Sequence, residues 1–231
     1  MSLTATQIVV DACGIAKCPG MISLGGRTLN LVLQDLVLHH DLKVNLVSTT
    51  IAVSIGSPGP FSLVVNYLRT YDLFYLIQGD PRFLMPATRK QYDQDSNPAN
   101  NSTYPQEYAT DLSPPAVDGT PGLLYIYPTS NQTLSLTHRY FLKRDDITSP
   151  QTSAVVPWFS DQDYLITATA MRLMRTTDDA RYAEFVANAD KLLDQHLLKQ
   201  GDEQEIVKEV RLDPRRFRFK ANLRSTKIDP F

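Results

Sequence analysis

The spacing of apolar and polar positions changes character twice along this chain. Leu29, Val32, Leu33, Leu36, Val37 and His40 recur at intervals of three and four, which lays one apolar stripe along a helix starting at Thr28. Upstream, residues 4–16 read as a weaker helix, and Cys18-Pro19-Gly20 and Gly25-Gly26 punctuate the path between the two. Leu31 and Leu38 lie off the stripe. The second helix is therefore expected to be covered on more than one side, by its own chain or by a neighbour.

At about Leu46 the period becomes two. Val47, Thr49, Ile51, Val53 and Ile55 alternate with Ser48, Thr50, Ala52 and Ser54, the pattern of a half-buried strand. Gly56-Ser57-Pro58-Gly59-Pro60 supplies a turn, Phe61–Val65 returns, and Tyr71, Leu73, Tyr75 and Ile77 alternate again before Gln78-Gly79-Asp80-Pro81 and Arg82–Met85. A helix across 61–78 competes for this Leu- and Tyr-rich stretch. Strands are preferred because the segment is β-branched and aromatic between Pro and Gly boundaries.

Residues 86–122 carry six prolines, and Asn and Ser dominate 96–103. They read as a long surface excursion with one short strand at Glu107–Leu112. Leu123–Tyr127 and Thr133–Phe141 then read as a hairpin around Pro128-Thr129-Ser130-Asn131, with Leu134, Leu136, His138 and Tyr140 on one face of the second arm.

Helices resume after Pro157. Ser160 is the expected N-cap with Asp163 as its capping-box partner, and Phe159 and Tyr164 stand at the staple positions. A helix of small and apolar residues follows to Met174. After Thr176-Thr177-Asp178, a second helix carries Tyr182, Phe185, Val186, Ala189, Leu192, Leu193 and Leu197 and ends near Gly201. This αα-hairpin is expected to pack on the helix near 28–41.

The resulting fold class is α+β. A helical domain, made of N-terminal helices (residues 1–45) and the αα-hairpin (157–200), carries an inserted small antiparallel β-sandwich or barrel (46–145). That module contains the long loop 86–122, and an extended basic arm (201–231) closes the chain.

Charge singles out the arm. The 231 residues carry a formal charge of −2, but 211–228 hold seven basic residues against the single acid Asp213. A stretch at +6 therefore sits beside a remainder at −8. Phe217 and Phe219 alternate with Arg216, Arg218 and Lys220, Arg211, Arg215 and Arg224 flank them, and Pro214 and Pro230 discourage helix. One reading is a basic terminus without a fold of its own. Another is an arm that orders on a partner, its aromatics anchoring and its arginines pairing with carboxylates. A third is single-strand nucleic-acid binding.

The chemistry motifs are sparse. Cys13 and Cys18 are expected to be free thiols, since a disulfide framework needs more cysteines and an export signal. His39 and His40 are adjacent and diverge by about 100° on a helix, so they cannot share a metal; His40 reads as a core or interface histidine. Asp93, Asp95 and Asn97 open like a calcium loop, but Pro98 replaces the turn glycine and Tyr104 the bidentate Glu. No metal or cofactor is expected. Gly25-Gly26-Arg27 reads as a loop-to-helix junction, and Asp145-Asp146 and Asp178-Asp179 as turn and cap residues. There is no nucleophile elbow, P-loop, zincin or dinucleotide fingerprint, so an enzyme is not expected. No apolar run approaches the roughly 18 residues of a membrane span, and the first residues lack the basic and apolar regions of a secretory signal.

Four stretches, in order, resemble the head-to-tail adaptor (connector) proteins of tailed bacteriophages, the short-tailed type above all. They are Gly59-Pro60-Phe61-Ser62-Leu63 leading to Asn66-Tyr67-Leu68-Arg69; Leu123-Leu124-Tyr125-Ile126-Tyr127-Pro128; Arg139–Arg144 followed by Asp145-Asp146-Ile147-Thr148; and Val156-Pro157-Trp158 opening a helix. Val64-Val65-Asn66 departs from the pattern, where similar proteins often have a Pro and an Asp. The resemblance implies a virion structural protein at the neck, made in the host cytoplasm, forming a ring of typically twelve copies between the capsid portal and a tail nozzle or tail tube protein. Double-stranded DNA passes through such a ring. The resemblance also implies that the arm, through Arg211, Arg215, Arg216, Phe217, Arg218, Phe219, Lys220 and Arg224, docks on the portal protein. Two other readings of the residues stay open: a β-module that binds a ligand or host surface, and a DNA-binding protein using the basic arm.

Overall fold

The structure, a computed structural model, describes residues 2–95, 101–102, 104–112 and 122–200. In chain order the helices are α1 (Ala5–Ile15), α2 (Ile22–His39), α3 (Arg89–Asp95), α4 (Gln162–Thr177) and α5 (Tyr182–Gln200). The strands are β1 (Leu46–Val53), β2 (Phe61–Ser62), β3 (Tyr67–Ile77), β4 (Asp80–Phe83), β5 (Met85–Pro86), β6 (Asn101–Ser102), β7 (Glu107–Asp111), β8 (Leu123–Tyr127), β9 (Thr129–Ser130) and β10 (Leu134–Leu142). The fold is α+β. The described residues up to Leu192 make up one compact unit, and the end of α5, from Leu193, falls in a second. The predicted arm, 201–231, lies outside the described residues.

The helical layer starts with a capping box. Thr4 Oγ1 accepts from the Gln7 amide at 3.4 Å, and Gln7 Oε1 accepts from the Thr4 amide at 2.8 Å. Ile8, Val9, Ala12 and Cys13 then face inward, and α1, α2 and α4 pack against one another around Leu29, Val32, Leu36, Leu165 and Leu173. The predicted stripe on α2 is the buried face.

The start of α2 corrects the sequence reading. Gly25 and Gly26 lie inside the helix and are buried. A Cβ on Gly25 would stand 2.9 Å from Cys13 Sγ and 3.0 Å from Val9 Cγ1; on Gly26 it would meet Gln151 Oε1 at 2.7 Å. These glycines let α1 and the 150–151 turn approach the α2 backbone, and packing overrides their weak helix propensity.

The cap of α4 is another correction. Asp161, not Ser160, is the N-cap, its carboxylate accepting from the Tyr164 amide at 3.0 Å. Asp161 is in extended backbone, from which the side chain reaches the first turn. The Phe159 and Tyr164 rings still meet edge to face at 5.5 Å. At the other end Asp178 takes left-handed backbone, φ 52°, and its amide bonds to the Met174 carbonyl.

The strands form a sandwich. One sheet runs β1-β10-β3-β4, wholly antiparallel; the other runs β2-β8-β7-β5, with a parallel β5–β7 pair. Val53, Leu73, Tyr75 and Leu136 from the first sheet meet Leu63, Tyr108, Leu124 and Ile126 from the second side of the core. β3 carries one residue more than β10 between the Asp72–Arg139 and Thr70–Tyr140 pairs, so Tyr71 is bulged.

The predicted hairpin of 123–127 with 133–141 does not form. β8 pairs with β7 and β2, and β10 pairs with β1 and β3. Pro128 has no amide to extend a ladder, and Thr129–Ser130 pairs instead with Asn101–Ser102 while the chain crosses between sheets. Leu124 and Leu136 thus enter the shared core from different sheets. The long excursion also contains α3, a helix that the sequence reading lacked.

Candidate functional site

Three of the four stretches that carry the adaptor resemblance converge where the sandwich meets the helical layer. Arg69, in the first, reaches under the end of α2: its guanidinium donates to Asp41 and to the carbonyls of Val37, Leu38 and His40, and stacks 5.0 Å from the Phe141 ring centroid. Arg144, in the third, donates to Asn45 Oδ1 at 2.9 Å and to the Val44 carbonyl at 2.7 Å. Beside it, the Asn30 amide brackets Ile147, donating to its carbonyl at 3.0 Å and accepting from its amide at 3.1 Å. Gln34 donates to Asp146 at 2.7 Å. Arg144–Thr148 and Val156-Pro157-Trp158 also line one pocket of about 460 Å³. The Leu123–Pro128 stretch lies in the second sheet, where it pairs with Phe61–Ser62 at the other end of the first stretch.

This joint holds α2 by its C-terminal carbonyls, groups a helix cannot satisfy internally. His40 accordingly caps the helix in extended backbone and is not part of its apolar face, as the spacing had implied. His39 is exposed, its ring nitrogen 3.1 Å from the Asp35 carbonyl.

The outer side of the helical layer leaves several large apolar side chains in solvent. Leu24, Leu31 and Leu38 stand seven residues apart along α2 and are 38%, 50% and 51% exposed. On the neighbouring helices, Val10, Asp11, Gly14 and Ile15 of α1 face Asp163 and Ile166 of α4 and Leu192 of α5 across an open groove of about 800 Å³. The Arg181 guanidinium seals one end of α1, donating to the Ile15 carbonyl and to Asp179. That contact drags the Asp179 carboxyl down to about 2. Asp179 therefore serves an ion pair, beyond the cap role read from sequence.

Inside the sandwich lies one polar cluster. His138 is buried, with Nε2 3.0 Å from the Thr70 hydroxyl, which itself stands 2.7 Å from the Tyr67 hydroxyl. Burial pulls the imidazole down to about 4, against an opposing pull from Asp72. The ring is thus neutral at pH 7 and packs against Tyr140 at 4.9 Å. Cys13 and Cys18 are free and buried, and burial, then the neighbouring Cys18, pushes the Cys13 thiol up to about 11. Among the described residues, no three His, Cys, Asp or Glu side chains are grouped to hold a metal. None of the described helices is long and apolar enough to cross a membrane.

The site residues read from sequence, Arg211, Arg215, Arg216, Phe217, Arg218, Phe219, Lys220 and Arg224, lie outside the described residues. Arg69, Arg144 and Asp11 carried no assigned role in the sequence reading, and Asp163, expected as the capping-box partner of Ser160, instead lines the groove while Asp161 caps the helix. The arginines were visible only as parts of degenerate strings. Neither aspartate carried a signal for the groove, because that placement depends on which helices become neighbours. No protein-family model matches the chain, and no curated protein matches it.

Proposed function

We propose that this chain is a structural virion protein of the head-to-tail adaptor kind, located at the neck. In this reading it forms a ring that joins the capsid portal to a tail nozzle or tail tube protein and passes double-stranded DNA. Its work is association, not turnover. The observation that carries the reading is the outer side of the helical layer, where Leu24, Leu31 and Leu38 are left in solvent by their own core. Exposed apolar surface of this kind marks protein contact, and the adaptor resemblance names the assembly. Three resemblance-bearing stretches meeting at one joint add support, since that joint sets the angle between sandwich and helices. The −8 carried outside residues 211–228 suits a DNA conduit, because like charge avoids the phosphate contacts that a basic lining would make.

Mixing the purified protein with the portal protein from the same genome and imaging by electron microscopy tests the reading. A symmetric ring seated on the portal is expected, and deletion of 211–231 is expected to abolish seating. Equal docking by the truncated chain would remove the arm from the account, and no complex with the intact chain would remove the adaptor. A ligand- or host-surface-binding module is the second reading, favoured by Leu76, Phe83 and Met85, which are more than half exposed along one margin of the sandwich. Retention on host cells without portal affinity would support it.

A further inference from the structure

We infer that the chain associates head to tail with a second copy of itself, the Leu24–Arg27–Leu31 ridge of α2 seating in the groove between α1, α4 and α5 of that copy. Shape is the first argument. Leu24 to Leu31 spans about 10 Å of helix, with Arg27 near the middle of the same side. The groove offers about 800 Å³ walled by Val10, Ile15, Ile166 and Leu192, of which Val10 is 49% exposed. Two leucine side chains and the stem of an arginine are an apolar filling for such walls.

Charge is the second argument. Arg27 is exposed on the ridge and makes no ion pair among the described residues, while Asp11 and Asp163 sit in the groove without one. Most other outward arginines of the body are engaged: Arg69, Arg89, Arg139, Arg172 and Arg181 each hold an aspartate. An unpaired cation between two exposed leucines, and two unpaired carboxylates between exposed apolar walls, are complementary halves of one contact.

Topology is the third. The ridge residues Leu24, Arg27 and Leu31 are exposed on α2, away from its buried face of Leu29, Leu33 and Leu36, whereas the groove is lined from α1, α4 and α5 and by no residue of α2. One chain cannot fill its own groove with its own ridge. The contact joins two different patches, so it repeats from copy to copy and ends only by closing on itself. The pairing follows from these two surfaces; its closure into a ring rests on the adaptor reading above.

Sedimentation velocity on the full chain across the micromolar range tests the pairing, with helicity and melting temperature as folding controls. Leu31→Glu and Val10→Glu, both at exposed positions, are each expected to leave a folded monomer. Mixed together they are expected to form a dimer that grows no further, because one intact ridge and one intact groove remain. Arg27→Glu is expected to weaken association about tenfold or more, and adding Asp11→Arg and Asp163→Arg in the same chain to restore it. Association of both Glu variants at wild-type strength, or a mixture that stays monomeric, would overturn the pairing. Portal docking is scored separately. Wild-type pairing without docking removes the adaptor and leaves the pairing; docking with unimpaired Glu variants does the reverse.

Discussion

The sandwich and the helical layer finish their surfaces differently. On the sandwich, outward rings are roofed by arginines: Arg139 lies 5.3 Å from the Tyr71 centroid and 5.4 Å from Phe74 while holding Asp72, and Arg89 lies 3.9 Å from Tyr125 while holding Asp93. Each guanidinium thus shields apolar area and neutralises an acid at once. On the helical layer, Leu24, Leu31, Leu38 and Val10 stay between 38% and 51% exposed. Where a chain covers its own apolar groups, stability is settled within the molecule. Where it leaves them open, the remaining stabilisation comes from a partner. Among the described residues, the sandwich leaves Leu76, Phe83 and Met85 open toward one margin, Tyr71 open in part, and Ile55, Val64, Val65 and Leu112 open in its loops.

The strongest way to break this contrast is to cut into the sandwich core. Leu136 is fully buried between Tyr75 and Ile51 in the first sheet and contributes to the shared core. Leu136→Ala is expected to cost about 2–5 kcal/mol in urea unfolding, the usual range for a buried leucine that leaves a cavity. A cost near zero would mean that the two sheets do not share a core.

Acid is the next probe. The folded chain protonates His138 near about 4, against an ordinary value of 6.5 in the unfolded chain. Between those values the unfolded state binds more protons, so stability is flat above about pH 6.5 and falls as the pH drops toward 4. The full loss is about 3 kcal/mol at most. His138→Gln, which keeps a polar partner for Thr70 without a titrating ring, is expected to flatten that part of the pH profile. An unchanged slope would locate the titration elsewhere.

The roof itself is open to test. Arg139→Met keeps apolar cover over Tyr71 and Phe74 but leaves Asp72, only 17% exposed at its side chain, without its cation. A loss of about 1–2 kcal/mol is expected, a hydrogen-bonded pair discounted for partial exposure. Adding Asp72→Asn should recover part of it. No recovery would show that the arginine acts only by packing.

These contrasts were unevenly legible in the sequence. Alternation at Val47–Val53 and at Leu134–Tyr140 marked which side chains face inward, and the structure agrees. Alternation says nothing of which strand lies alongside, so β8 and β10 were read as a hairpin although they belong to opposite sheets. Gly25-Gly26 was read as a junction because local propensity disfavours glycine in helices. The approach of Val9 and Cys13 to Gly25, and of the 150–151 turn to Gly26, explains it. The seven residues of α3 were too few for a period. In contrast, the off-stripe positions of Leu31 and Leu38 were visible at once, and they are the exposed ones. Facing surfaces such as Asp11 with Asp163 exist only after folding, and no local pattern encodes them.

The smallest expected effect is the sharpest test of the contrast. Leu31→Ala removes the same atoms as Leu136→Ala, yet from a side chain that is half in water. In dilute solution its unfolding free energy is expected to move by no more than about 0.5 kcal/mol, partly because alanine is the better helix former and offsets the lost packing. Chemical denaturation at low protein concentration measures it, since any contact between copies would add a concentration-dependent term. A loss near that of Leu136→Ala at every dilution would place Leu31 inside its own molecule and dissolve the distinction between the two regions. A negligible loss when dilute that grows with protein concentration would put the missing cover on a second copy, because only then does the same deleted side chain count in one regime and not in the other.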